Sequence, residues 1–166
     1  MPNKESLTSK KIQKKFVEYR KVCIFADRKR ISYPLAMTQE EQKKYWLDIA
    51  EYDIDTAEAM YQTGRWLYVA FMCHQVIEKT LKAYWCATQP NDPPYTHNHK
   101  RLADGSGLYG IMGEEQKDFL NTITNYNIEA RYPVDKEALS HMLTPQTCRN
   151  IIDETKQLQQ WIKEKL

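Results

Sequence analysis

Two long stretches of helical periodicity are separated by one glycine, Gly64, and that junction confines the fold more than any other feature of the 166 residues. Thr38 can accept from first-turn amides and Glu41, three residues on, can reach back, so a capping box opens a long helix there. The pattern runs to about Thr63. Gly64 can take the left-handed C-terminal conformation, and a second helix follows from Arg65 to about Ala87. A turn this short predicts an antiparallel helical hairpin.

Further elements are also helical. Gln89 to Tyr95 holds three prolines and an Asn-Asp pair, which break the helix and predict a rigid loop. A short polar helix is expected from Thr96 to Ala103, with the Thr96 hydroxyl as its N-cap. Gly105, Gly107 and Gly110 predict another loop. Gly113-Glu114-Glu115 opens a helix to about Asn127, and the segment from Arg131 to Thr144 reads as irregular or weakly helical. Thr144-Pro145 pairs an N-cap with proline at the first helical position. The last helix places Ile151, Ile152, Thr155, Leu158 and Ile162 at three- and four-residue spacing. No segment alternates as a strand does, and no repeat or low-complexity tract occurs. The expected fold is an all-α, up-and-down bundle of four to five helices over residues 39–166.

Charge divides the chain. Residues 1–38 hold ten Lys and Arg against three acidic residues, a net of +7, which leaves −5 for the remainder of a chain whose total is +2. This first segment is expected to be a basic arm and linker. Ile12, Phe16, Tyr19 and Cys23 form one stripe with lysines opposite, an amphipathic helical pattern, and Pro34 marks the linker. Such a charge density suits nucleic acid, although a solvated helix face is the plainer explanation.

Four cysteines lack any CxxC pairing, and Cys73 lies in an apolar helical run, so reduced thiols and a cytoplasmic protein are expected. The longest apolar run, Trp66 to Cys73, is far below the ~20 residues of a membrane helix. Neither a membrane segment nor an export signal is expected.

Chemistry concentrates on the second helix. His74, Glu78 and Lys82 recur every four residues, which sets an imidazole, a carboxylate and an ammonium in one row. Lys82 and His74 could hold a phosphate while Glu78 orients the imidazole. The plainer alternative is a surface charge ladder, worth only about 0.2 to 0.5 kcal/mol per pair. Arg131, before Tyr132-Pro133, offers a guanidinium for bidentate contact with phosphate or carboxylate. His74, Glu78, His97 and His99 include zinc-ligand types without zinc-site spacing, so no metal is expected. No P-loop, dinucleotide fingerprint or nucleophile elbow is present.

The pattern A-F-x-x-H-Q-x-x-E-K-x-L-K-A from Ala70 to Ala83, then Thr96-His97, then A-R-Y-P from Ala130 to Pro133, resembles the HEPN domain family over roughly residues 42–165. The resemblance implies a small helical bundle whose A-R-Y-P run helps to build a ligand groove. It implies a nucleotide or phosphate site drawing on His74, Glu78, Lys82, His97, Arg131 and Tyr132, with ATP or GTP as a possible ligand. It also implies a partner, a separate minimal nucleotidyltransferase in a toxin and antitoxin pair, with self-association as a further option.

Nuclease members of that family carry an arginine and, after four to six residues, a histidine that together cleave RNA without metal. Here Arg131 precedes His141 by nine intervening residues and Arg65 precedes His74 by eight. A non-catalytic domain is therefore expected. Two alternatives stay open: an RNA-cleaving enzyme that assembles Arg131 with His74 or His141 in space, and an adaptor whose basic arm binds nucleic acid.

Overall fold

The computed structural model describes residues 37–129 and 142–166. The expectations for the basic arm over residues 1–36, and for Arg131, Tyr132 and His141, fall outside the described residues.

Among the described residues there are five α-helices and no strand: α1 (Gln39–Gln62), α2 (Trp66–Thr88), α3 (His99–Gly105), α4 (Glu114–Glu129) and α5 (Pro145–Lys163). Local chemistry accounts for their ends. Glu41 N–H donates to Thr38 Oγ1 at 3.2 Å and Thr38 N–H donates back to Glu41 Oε2 at 2.8 Å, closing the capping box. Gly64 sits at φ 68°. Around it Arg65 N–H donates to Met60 O at 2.9 Å and Gly64 N–H to Tyr61 O at 3.1 Å, the double closure that satisfies the last carbonyls of α1. Thr144 Oγ1 accepts from Thr147 N–H at 3.1 Å above a first-position proline.

Two boundaries differ from expectation. The short helix starts at His99, because Asn98 Oδ1 accepts from Arg101 N–H at 2.9 Å and takes the capping role. Thr96 Oγ1 instead accepts from Asn98 N–H at 3.1 Å, a turn before the helix. The glycine-rich stretch also carries more structure than a loop. Gly105 closes α3, Gly107 turns at φ 79°, and Leu108–Ile111 forms a 3-10 helix.

Helix α2 is the axis of the domain. Fourteen of its 23 residues are buried, on every side of the helix, as for a helix surrounded by protein. It packs on α1, α3, α4 and α5. Its Val69, Cys73, Val76, Ile77 and Leu81 share one buried core cluster with Ile54 and Ala57 of α1, Leu102 of α3, Leu120 and Ile123 of α4, and Ile152, Leu158 and Ile162 of α5. Each large apolar side chain so removed from water contributes about 1.5–3 kcal/mol. The α5 stripe expected from spacing is buried at all five positions. Arg149 of α5 forks onto Glu58 of α1 at 3.1 Å and 3.1 Å, and its guanidinium lies 4.1 Å from the Tyr61 ring centroid.

Cys73, Cys86 and Cys148 are free and buried. Burial pushes the Cys73 thiol up to about 12 and that of Cys148 to about 11, so neither is a nucleophile near neutral pH. Among the described residues no helix is long and apolar enough to cross a membrane.

Candidate functional site

Helical period brings His74, Glu78 and Lys82 onto one side of α2, where they face the loop that links α2 to α3. The row is buried. His74 is 0% exposed, Glu78 2% and Lys82 7%, so it is not the surface ladder that spacing alone allowed.

Glu78 is the hub. Its Oε1 accepts from Lys82 Nζ at 2.7 Å, and its Oε2 accepts from His97 Nδ1 at 2.8 Å. His74 Nε2 stands 3.5 Å from the same Oε2, long for a hydrogen bond. Burial works to raise the Glu78 carboxyl, but the His74 and His97 ring nitrogens and the Lys82 and Lys79 ammoniums outweigh it and hold the group well below the usual carboxylate range. Glu78 is therefore a permanent buried anion at neutral pH.

Each partner is fixed from its far side. Lys82 Nζ also lies 4.9 Å from the ring centroid of Trp46 on α1. His74 Nδ1 donates to the Ile123 carbonyl of α4 at 3.1 Å. His97 is set by the α2–α3 loop, which is tied down where Trp85 Nε1 donates to Asn91 O at 2.9 Å and Gln39 Nε2 to Gln89 O at 2.7 Å.

Beneath His74 lies His99, with ring centroids 4.2 Å apart and 30° between planes. His99 is 0% exposed. Burial, reinforced by the neighbouring His74, drives its imidazole well below the ordinary range, so the ring is neutral. Its Nε2 donates to the His74 carbonyl at 3.2 Å, and its Nδ1 faces the Thr124 hydroxyl at 3.1 Å. Two imidazoles thus stitch α2, α3 and α4 together.

On the α1 side, Asp53 stands 3.9 Å from Lys79. Burial raises its carboxyl to about 6 against the pull of Lys79, with Glu78 adding to the rise.

The structure brings together four of the six residues expected at the site: His74, Glu78, Lys82 and His97. Arg131 and Tyr132 lie outside the described residues, so the groove expected around them is not described either. Within the four, exposure separates the roles. His74 has no surface, Lys82 has almost none, and the His97 side chain is 42% exposed. With Nδ1 turned onto Glu78, the opposite nitrogen of His97 is the one directed away from the carboxylate. Among the described residues no cluster of three or more His, Cys, Asp or Glu could hold a metal ion.

Sequence reasoning grouped His99 with His74, Glu78 and His97 only as zinc-ligand types, and did not place Thr124, Trp46 or Asp53 at this site. Each arrives from another element at no fixed spacing from Glu78, and pairing of this kind leaves no periodic trace in a single chain.

The fold is similar to that in the crystal structure of TT1696 from Thermus thermophilus, with a TM-score of 0.66 and 19% identity over 78% of this chain and 100% of that one. At this identity the likeness speaks for the fold alone. No curated protein matches the sequence. The HEPN domain model matches residues 43–166, from the first turns of α1 to the end of α5, with the Glu78 cluster and the A-R-Y-P run inside. The chain belongs to the HEPN domain family.

Proposed function

We propose that this HEPN domain binds the phosphate of a nucleotide on the face where His97 emerges beside Lys82 and Glu78, and that it works beside a separate minimal nucleotidyltransferase. The observation that carries the proposal is the buried, ionised Glu78 carboxylate gripping side chains from α2 and from the α2–α3 loop. Burying such a group costs several kcal/mol per ion, and well-packed apolar residues of similar volume stabilise a fold as well or better. What the cluster provides beyond stability is a surface imidazole held in one orientation, whose doubly protonated form would offer a charged donor to an anionic ligand. Arg131, whose guanidinium suits bidentate phosphate contact, is proposed to complete the site.

Calorimetric titration of ATP and GTP into the full-length protein and its Arg131→Ala and His97→Ala variants tests this. Saturable binding by the parent, weakened at least tenfold in each variant with helicity retained by circular dichroism, is the expected result. Absence of heat with either nucleotide at millimolar concentration would sink it.

A second reading draws on the same pair. An imidazole oriented by a buried carboxylate can also abstract a hydroxyl proton, the chemistry that metal-free RNA cleavage requires. RNA cleavage lost in His97→Ala and in Arg131→Ala would carry that reading.

A further inference from the structure

Among the described residues the most exposed large aromatic side chain is Tyr95, at 71%. It stands two residues before His97 in the α2–α3 loop, and the two rings meet edge-on, with centroids 6.0 Å apart and 62° between planes. Whichever ring supplies the edge, such contact leaves at least one face of Tyr95 free of His97, and at this exposure that face is open to solvent.

A single exposed aromatic ring is ordinary on a protein surface. Tyr95 is set apart by its mount. Pro93 and Pro94 fix the backbone just before it. Just after it, Asn98 N–H donates to Thr96 Oγ1 at 3.1 Å and closes a turn. The loop is pinned upstream where Trp85 Nε1 donates to Asn91 O and Gln39 Nε2 to Gln89 O, and downstream where His97 Nδ1 is bonded to Glu78 Oε2 at 2.8 Å. A flat apolar surface held in water on a fixed backbone has little freedom left to lose when a ligand covers it, which is the condition under which stacking adds most to affinity.

Resting on the phosphate-binding reading above, we propose that Tyr95 is the base platform of the same site, with a nucleobase stacked on its open face while the phosphate chain of that nucleotide lies at His97. The 6.0 Å between the two ring centres is within the span of one nucleotide. The ligand class is thereby narrowed from phosphates at large to nucleotides. Stacking on an aromatic face tolerates any base, because every base has a π face, and a phenol ring offers that face no pattern of donors and acceptors to read. The platform therefore separates nucleotides from inorganic phosphates without separating ATP from GTP.

The experiment is calorimetric titration of ATP, GTP and inorganic tripolyphosphate into the full-length protein and into its Tyr95→Phe and Tyr95→Leu variants, the leucine being large and apolar but without a π face. The parent is expected to bind ATP and GTP within about threefold of each other, and both at least about tenfold more tightly than tripolyphosphate, the scale of one stacked base. Tyr95→Phe is expected to keep that preference. Tyr95→Leu is expected to weaken ATP and GTP about tenfold and to leave tripolyphosphate where it was. Because Tyr95 also packs against His97, an equal loss for all three ligands in Tyr95→Leu would make it a positioning residue for the imidazole and overturn the platform. Tripolyphosphate bound by the parent as tightly as ATP, or full ATP affinity in Tyr95→Leu, overturns the platform too and leaves the phosphate site standing. Failure of all three ligands to bind the parent overturns the phosphate-binding reading itself, and the platform with it.

Discussion

Glu78 shows how much one residue can decide. Removing a single member of a buried ion pair strands the other charge, which typically costs 3–5 kcal/mol, far more than the net worth of the pair. Glu78→Ala is therefore expected to lower unfolding free energy by about 3–5 kcal/mol, and a second change, Lys82→Met, to recover part of that loss. Urea denaturation of the two single variants and the double variant measures it. Strict additivity would show that Lys82 does not depend on Glu78. The period-four spacing of His74, Glu78 and Lys82 was legible in the sequence; their burial was not, because depth depends on what α1, α4 and the α2–α3 loop lay over them. The burial of His99 was illegible for the same reason. Its neutral, buried ring takes up a proton on unfolding, so folding stability is full above about 6.5 and is lost as pH falls below it. Asp53 acts in the opposite sense: its carboxyl, raised to about 6, binds its proton more readily when folded, so its contribution grows as pH falls through 6. In Asp53→Asn, stability measured by urea unfolding should drop more steeply from pH 7 to pH 5 than in the parent. His99→Gln should flatten that decline, and an unchanged slope would mean the histidine stack does not govern it.

At the scale of elements, the boundaries written in local chemistry were the ones the sequence disclosed. Thr38 with Glu41, Gly64, and Thr144 with Pro145 act within four residues of the turn they shape, so their meaning survives without knowledge of the fold. Thr96 and Asn98 were harder to separate because both are competent caps two residues apart; the structure gives the cap to Asn98 and the preceding turn to Thr96. Gly105 differs in kind from the loop glycine its neighbours suggest. It is helical, with no positive φ, and its lack of a side chain answers to a tertiary neighbour. A Cβ there would lie 2.7 Å from Trp85 Cη2, inside van der Waals contact. Trp85 cannot retreat freely, since its indole N–H is bonded to Asn91 O in the loop that carries His97. Gly105→Ala would gain up to about 1 kcal/mol of helix propensity at an unhindered site. Here overpacking is expected to outweigh that gain and leave a net loss of about 1–2 kcal/mol. A thermal midpoint equal to or above the parent's would show that the ring yields at little cost.

The whole molecule turns on α2, and its position predicts how the domain comes apart. A helix buried on all sides joins α1, α3, α4 and α5 into one packing unit, because none of those helices keeps its apolar face covered once α2 leaves. The cluster belongs to the same unit: the helix that carries Ile77 and Leu81 into the core also carries Glu78 and Lys82, so the Glu78 cluster is held by the folding energy of the whole bundle. The all-helical class was legible because short turns and uninterrupted three- and four-residue periodicity admit little else. The central role of α2 was not legible, because the row of His74, Glu78 and Lys82 reads equally as a solvated face until the other helices are laid over it. Ile77 is fully buried in that helix, and Ile77→Ala is expected to cost about 2–5 kcal/mol. All four tryptophans lie within the bundle, in α1, α2 and α5, so their fluorescence and the far-ultraviolet circular dichroism report on overlapping parts of one unit. If α2 makes the bundle cooperative, the two signals should shift to lower urea together in Ile77→Ala, with the steepness of the transition unchanged. A variant in which fluorescence moves while the helical signal of the remaining bundle stays behind would divide the domain into separable parts and detach the Glu78 cluster from the core that is argued to hold it.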